Sequence, residues 1–123
     1  MSDLPILDPR PLRDLLEIGA TMGLIQELIG LYQEDVPTRL AMLKMALAAG
    51  DAGHTAAEAH QLRGALSNLG LVRFADLAAR IESLVREGHM AAAPRLAEGL
   101  LAAYDEALHA LITTFSDQDA LQG

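Results

Sequence analysis

One histidine in this chain stands in an unusual setting. From Ala59 to Gly70 the sequence reads AHQLRGALSNLG. A helix turns about 100° per residue, so Ala59, Leu62, Leu66 and Leu69 form one apolar seam. His60 lies a quarter turn or more off that seam, on the face toward solvent. Arg63 and Gly64 lie one turn ahead of it and Ser67 two turns ahead. Ala56 and Ala57 lie one turn behind, and Gly53 two turns behind. A solvated helix face usually carries long charged side chains. Here the neighbours are small, with one cation among them. A glycine inside a helix costs roughly 1 kcal/mol against alanine, so this face calls for a compensating role. Two fit. A second protein surface could approach the imidazole closely, with Ala56, Ala57, Gly64 and Ser67 lining the contact. Alternatively, the small residues could serve a tight helix–helix contact.

The chemistry available to His60 is nucleophilic. An ordinary imidazole has a pKa of about 6.5, so near neutral pH much of it carries a free lone pair. A reachable ring nitrogen can attack an acyl phosphate such as a phosphoaspartate. Arg63, three residues on, can offer charge-assisted hydrogen bonds to the phosphoryl oxygens. No base, oxyanion hole or metal site is evident around it. The machinery that forms and discharges a phosphohistidine would then come with the partner. Helix geometry alone leaves the function open, because a lone histidine on a helix is most often a surface residue.

Other candidates are weaker. His54 and Glu58 have a spacing that could bind zinc from one helix face, but without cysteine or converging ligands they read as solvated side chains. His89 follows Gly88 in a connection and reads as exposed; His109 reads as satisfied or solvated. Met42 and Met45 read as core filler. Asp14, Glu17, Glu27, Glu34 and Asp35 read as solvated helix faces. Arg39, Lys44, Arg73 and Arg80 could assist docking, with nothing in the sequence to select among them.

The elements that must position His60 follow from the punctuation. Asp8, Pro9 and Pro11 predict a short helix through about Ile18, broken by Gly19 and Gly23. Thr21 can cap a second helix with Leu24, Ile25, Leu28, Leu31 and Tyr32 as its apolar set. Pro37 falls inside it, so a kink or short break is expected near Val36 before Leu40, Leu43 and Leu47 resume the rhythm. Gly50 closes that segment. The third helix should run from about Asp51, its cap, to Leu69, with Gly70 as its stop. The fourth spans about Phe74 to Arg86, with Phe74, Leu77, Ile81 and Leu84 on one stripe, and Gly88 ends it. The last spans roughly Ala92 to Phe115, with Pro94 in its first turn and Leu96, Leu100, Leu108, Leu111 and Phe115 as core. Residues 116–123 read as a polar, frayed tail. These elements predict an all-α fold, an antiparallel four-helix bundle with a short additional N-terminal helix acting as a lid on one end.

Composition agrees. The 123 residues suit one domain, with a core expected over about residues 7–115. Apolar residues make up 51% and aromatics only 3%, so Ala and Leu, both strong helix formers, must supply most of the core. The absence of cysteine excludes disulfides and thiolate metal sites. A net charge of -8 argues against nucleic acid and against an anionic membrane surface. No signal peptide and no apolar run long enough to span a bilayer is evident, so a cytoplasmic protein is the expectation.

In the same stretch the chain resembles the histidine phosphotransfer (HPt) family. The family pattern is Ala-His-x-Leu-Lys-Gly, then small residues, then Asn-(Leu or Ile)-Gly. Ala59, His60, Leu62, Arg63, Gly64, Asn68, Leu69 and Gly70 stand in register with it. Leu77, Ile81 and Glu82 match the downstream stretch, and Glu34-Asp35-Val36-Pro37 and Gly50-Asp51 resemble upstream features. The resemblance runs from about Leu7 to Phe115. It implies that His60 is the phosphorylated residue, that Arg63 fills the usual lysine role beside the phosphoryl group, and that Gly64 keeps the approach clear. It also places Glu82 where some members hold a polar side chain that orients the imidazole. Two departures stand out. Arg63 keeps the charge of the usual lysine but binds phosphate through a flat fork. Leu66 replaces a small residue and, lying on the seam, reads as packing.

The expectation is therefore a phosphocarrier rather than an enzyme, relaying a phosphoryl group between receiver-domain aspartates through His60. Its partner would be the receiver domain of a response regulator or hybrid histidine kinase. It would need no cofactor or metal of its own, since the receiver supplies Mg²⁺. A monomer is the default. A helical adaptor that binds a signalling partner without phosphotransfer is the alternative, separable by whether loss of His60 spares partner affinity. A metal-binding bundle enzyme would need His and carboxylate ligands converging across helices.

Overall fold

The computed structural model describes residues 3–116. Six helices follow in order: α1 Arg10–Glu17, α2 Met22–Ala48, α3 Ala52–Asn68, α4 Val72–Arg86, α5 Ala93–Ala97 and α6 Leu100–Thr114, with a 3₁₀ turn at Met90–Ala92 before α5. No strand occurs among the described residues, and no helix is long and apolar enough to cross a membrane. Side chains fix the directions. His60 of α3 meets Glu82 of α4 beyond a tight turn, so these two form an antiparallel hairpin. Tyr32 of α2 stacks on Tyr104 of α6 with ring centroids 5.0 Å apart, and its hydroxyl donates to the Tyr104 carbonyl at 2.9 Å. The Gln26 amide donates to the Phe115 carbonyl, so α2 and α6 are also antiparallel. Ile25, Ile29, Leu43, Leu62, Phe74, Ile81, Leu100 and Leu111 fill the space between them.

The helix starts obey local chemistry. The Thr21 hydroxyl accepts the Leu24 N–H at 3.2 Å, and the Asp51 carboxylate accepts the His54 N–H at 3.0 Å, each satisfying a donor that the helix cannot. Asp8 acts one residue earlier than a regular cap. Pro9 occupies the cap position of α1 without a side-chain bond, while the Asp8 carboxylate accepts the Arg10 N–H at 3.0 Å and grips the Arg10 guanidinium. That grip pulls the Asp8 carboxyl down to about 2.

Gly70 ties the N-terminal segment to the α3–α4 turn. Its φ is +78°, and a Cβ there would stand 2.1 Å from the Asp8 carbonyl oxygen. The Asp8 N–H donates to the Gly70 carbonyl at 2.8 Å. Only glycine provides both the left-handed turn and the close approach.

Several expectations need correction. α2 passes through Pro37 unbroken. Its buried residues on both sides, Ile29, Tyr32 and Val36 before and Leu40 and Leu43 after, face one core. Their joint burial outweighs the roughly 3 kcal/mol that an internal proline costs. Met42 and Met45 are exposed rather than core filler, at 43% and 72%, because they lie off the buried line of α2. Leu24 and Leu31 of the predicted apolar set are exposed for the same reason. The last predicted helix is split at Glu98 and Gly99, where glycine has the poorest helix propensity of any residue but proline. α4 starts at Val72, two residues before the predicted Phe74. Of the predicted tail, only Ser116 falls within the described residues.

Candidate functional site

The seam of α3 behaves as its spacing requires. Ala59, Leu62 and Leu66 are fully buried, and Leu69 packs partly buried against the same core. Leu66 is packing. The small residues opposite divide. Ala57, Gly64 and Ser67 are exposed, but Ala56, expected on the docking face, is only 2% exposed. Its direction from the helix axis lies nearer the seam than that of His60, so it joins the core and cannot touch a partner. A Cβ on Gly64 would find nothing within 4 Å. The glycine therefore serves no packing within the chain, and the space above it is open.

His60 projects from α3 with 56% of its side chain exposed. Its inner edge faces Glu82 of α4, whose side chain is only 11% exposed. Glu82 Oε2 lies 3.1 Å from His60 Nδ1. Arg86, one turn along α4, donates from Nε to the same oxygen at 2.9 Å. Arg63 folds back over the pair. Its Nη2 lies 3.0 Å from His60 Nδ1, and its Nε lies 3.6 Å from Glu82 Oε1. Burial pushes the Glu82 carboxyl upward. The Arg86 hydrogen bond and the charges of His60, Arg63 and Arg86 outweigh it and hold the carboxyl below its ordinary range. A nearly buried carboxylate is thus kept ionised under the imidazole.

Since Nδ1 is turned toward Glu82, Nε2 is the ring nitrogen on the outward side. A neutral ring donating from Nδ1 presents the Nε2 lone pair to solvent. That nitrogen can attack an electrophile, and Glu82 can balance the positive charge the ring then acquires. The sequence brings His60, Arg63 and Glu82 forward as site residues, and all three meet here. Arg86 escaped notice, although Glu82 and Arg86 stand four apart on a predicted helix, the spacing of neighbouring side chains.

The surroundings extend the site on either side. On the α2 side, Arg39 pairs with Asp35 at 2.5 Å and reaches the Gln61 amide oxygen at 3.4 Å. A groove of about 510 Å³ runs between α2 and α3, lined by Leu31, Asp35, Thr38, Ala65, Asn68 and Leu69 among others. His54 and Glu58, expected as solvated side chains, pair at 3.3 Å, and Glu58 is largely covered. No group of three or more potential metal ligands occurs among the described residues. His89 and His109 are exposed. Arg73 pairs with Glu106 and Arg80 with Asp76, both away from His60.

Comparison with known proteins bears on the fold and the family. No curated protein matches the chain. Its backbone is similar to the crystal structure of histidine-containing phosphotransfer protein B (HptB) from Pseudomonas aeruginosa PAO1, with a TM-score of 0.75 and 28% sequence identity over 94% of this chain and 98% of that one. The model of the Hpt domain matches residues 27–115, a stretch that includes α3, α4 and all four members of the His60 cluster. The chain belongs to the Hpt domain family, whose members are histidine phosphotransfer proteins.

Proposed function

We propose that His60 accepts a phosphoryl group from the aspartyl phosphate of one receiver domain and passes it to the aspartate of another. The observation that carries this reading is an imidazole more than half exposed, with its inner nitrogen held over a nearly buried carboxylate and open space beside it at Gly64. The Nε2 lone pair forms a bond to phosphorus. The bond from phosphorus to the aspartate oxygen breaks, and its electron pair leaves on the aspartate carboxylate. Nδ1 keeps its proton, and Glu82 neutralises the resulting cationic ring. Arg63 supplies donors to the phosphoryl oxygens.

The receiver domain, from a response regulator or a hybrid histidine kinase, docks over His60, Ala57, Gly64 and Ser67 and along the groove beside α2. Leu31, 57% exposed, offers apolar contact there. The receiver contributes the aspartate and its Mg²⁺, which polarises the phosphoryl group. The chain acts as a carrier, as a monomer, and needs no cofactor of its own. The test is to incubate it with a phosphorylated receiver and follow acid-labile, base-stable label. Transfer to the native chain and none to His60→Gln is expected. Undiminished labelling of His60→Gln would overturn the assignment.

A further inference from the structure

Nδ1 of His60 stands between two groups that make opposite demands on it. Ionised Glu82 can only accept a hydrogen bond, and Arg63 can only donate one. The Glu82 oxygen is 3.1 Å away and the Arg63 nitrogen 3.0 Å. A neutral imidazole carries one ring proton. If it sits on Nδ1, the ring donates to Glu82, the outward Nε2 has its lone pair, and an Arg63 N–H confronts the ring N–H. If it sits on Nε2, Nδ1 accepts from Arg63, and the outward nitrogen has no lone pair with which to attack. The two contacts cannot both be hydrogen bonds in one neutral tautomer.

We infer that the arriving phosphoryl group releases the nucleophile that attacks it, by drawing Arg63 off Nδ1 while Arg86 keeps Glu82 in place to accept a hydrogen bond from Nδ1–H. This rests on His60 being the phosphoryl acceptor. Three features carry it. Arg63 is 42% exposed and can turn outward on its flexible stem. A phosphoryl dianion is a stronger partner for a guanidinium than a neutral ring nitrogen. Glu82 keeps its nearer partner when Arg63 turns away, because Arg86 binds it at 2.9 Å whereas Arg63 stands at 3.6 Å.

In the resting chain Arg63 thus favours the unreactive Nε2–H tautomer. When it leaves, the ring gives the Nε2 proton to water and takes one from water at Nδ1, with no net change in protonation. Nε2 then forms the bond to phosphorus as the bond to the leaving carboxylate oxygen breaks. When the phosphoryl group departs, Arg63 can return. Arg86 is a positioning residue, acting on the ring through Glu82 and touching neither ring nor phosphoryl group.

The test reads the ring directly, by ¹⁵N NMR of the histidine side chains in the full, unphosphorylated chain at a pH where the ring is neutral. His60→Gln identifies the resonances. The native chain should be mainly Nε2–H, and Arg63→Ala should reverse the majority to Nδ1–H. Adding Arg86→Ala to Arg63→Ala should lower the Nδ1–H share again, and Arg86→Lys in its place should restore it. Arg86→Ala alone should slow transfer from a phosphorylated receiver roughly tenfold, by analogy with the lower end of what losing an outer partner of a metal-bound histidine costs. A native ring already mainly Nδ1–H and unmoved by Arg63→Ala would overturn the inference, even if His60 accepts phosphate. Unchanged tautomers on loss of Arg86 would overturn its positioning role. The substituted side chains, His60, Arg63 and Arg86, are all exposed, so thermal melts should confirm intact folding.

Discussion

α3 carries two histidines six residues apart, each paired with a carboxylate, and the two pairs differ in everything but residue type. His54 presents Nε2 to Glu58, at 3.3 Å, one turn along the same helix. His60 presents Nδ1 to Glu82, at 3.1 Å, from a different helix. In the first pair the outer ring nitrogen is engaged, and no arginine contacts Glu58 through any of the ion pairs described. In the second the inner nitrogen is engaged, the outer one is open, and two arginines steady the carboxylate. A local i,i+4 pair requires only a helix. A pair that leaves Nε2 outward requires a second helix, set at one depth and one register. The contrast teaches that the reactive histidine is distinguished by which nitrogen is occupied, rather than by having an acidic neighbour.

The contrast can be broken most sharply by exchange of glutamine for each histidine. His60→Gln should abolish phosphoryl transfer, while His54→Gln should leave it within about twofold, measured with the same labelled receiver. Gly64→Leu comes next. It should cut transfer about a hundredfold or more by obstructing docking, yet raise stability by up to about 1 kcal/mol through better helix propensity. Denaturant melts and transfer assays separate the two effects. Unchanged transfer would remove the account of the small-residue face.

Gly70→Ala should lower stability by about 2 kcal/mol or more, through left-handed strain and collision with the Asp8 carbonyl, again read by denaturant melts. The predicted loss is global, because the residue joins the N-terminal segment to the α3–α4 turn that sets the two helices' register.

The smallest effect concerns pH. The folded-state pKa of Glu82 lies below its unfolded value, so the native state binds fewer protons there. The stabilisation is fully present above the unfolded value, near 4.5, and is lost as pH falls through the lower folded value. Glu82→Gln should therefore be less stable than the native chain at neutral pH by about 1 kcal/mol, since its three partners are well exposed. The gap should close in acid. A gap independent of pH would show that Glu82 contributes packing rather than charge.

Much of this architecture is legible in the residue order. The seam of α3 has the three-and-four rhythm that only a helix can bury on one side, and it places His60 outward. Thr21 and Asp51 announce their helix starts because capping depends on residues three apart in sequence. Arg63 beside His60 is readable for the same reason. The misreadings share a cause. Met42, Met45, Leu24 and Leu31 are apolar, and composition does not say which side of a 27-residue helix will be covered. Ala56 sits at the margin of its face, where only the packing of neighbouring helices decides burial.

Sequence by itself determined the all-helical class, the outward histidine, the neighbouring cation and the unobstructed glycine, because each depends on spacing within one helix. Tertiary structure alone decided that Glu82 would lie beneath Nδ1, that Arg86 would hold it, and that Arg63 would contest the same nitrogen. The pairs Arg63–His60 and Arg86–Glu82 are local to one helix each, but they meet only because His60 and Glu82, 22 apart in the chain, face each other across an antiparallel hairpin. Their distances follow from how deeply two helices pack, which no local pattern encodes.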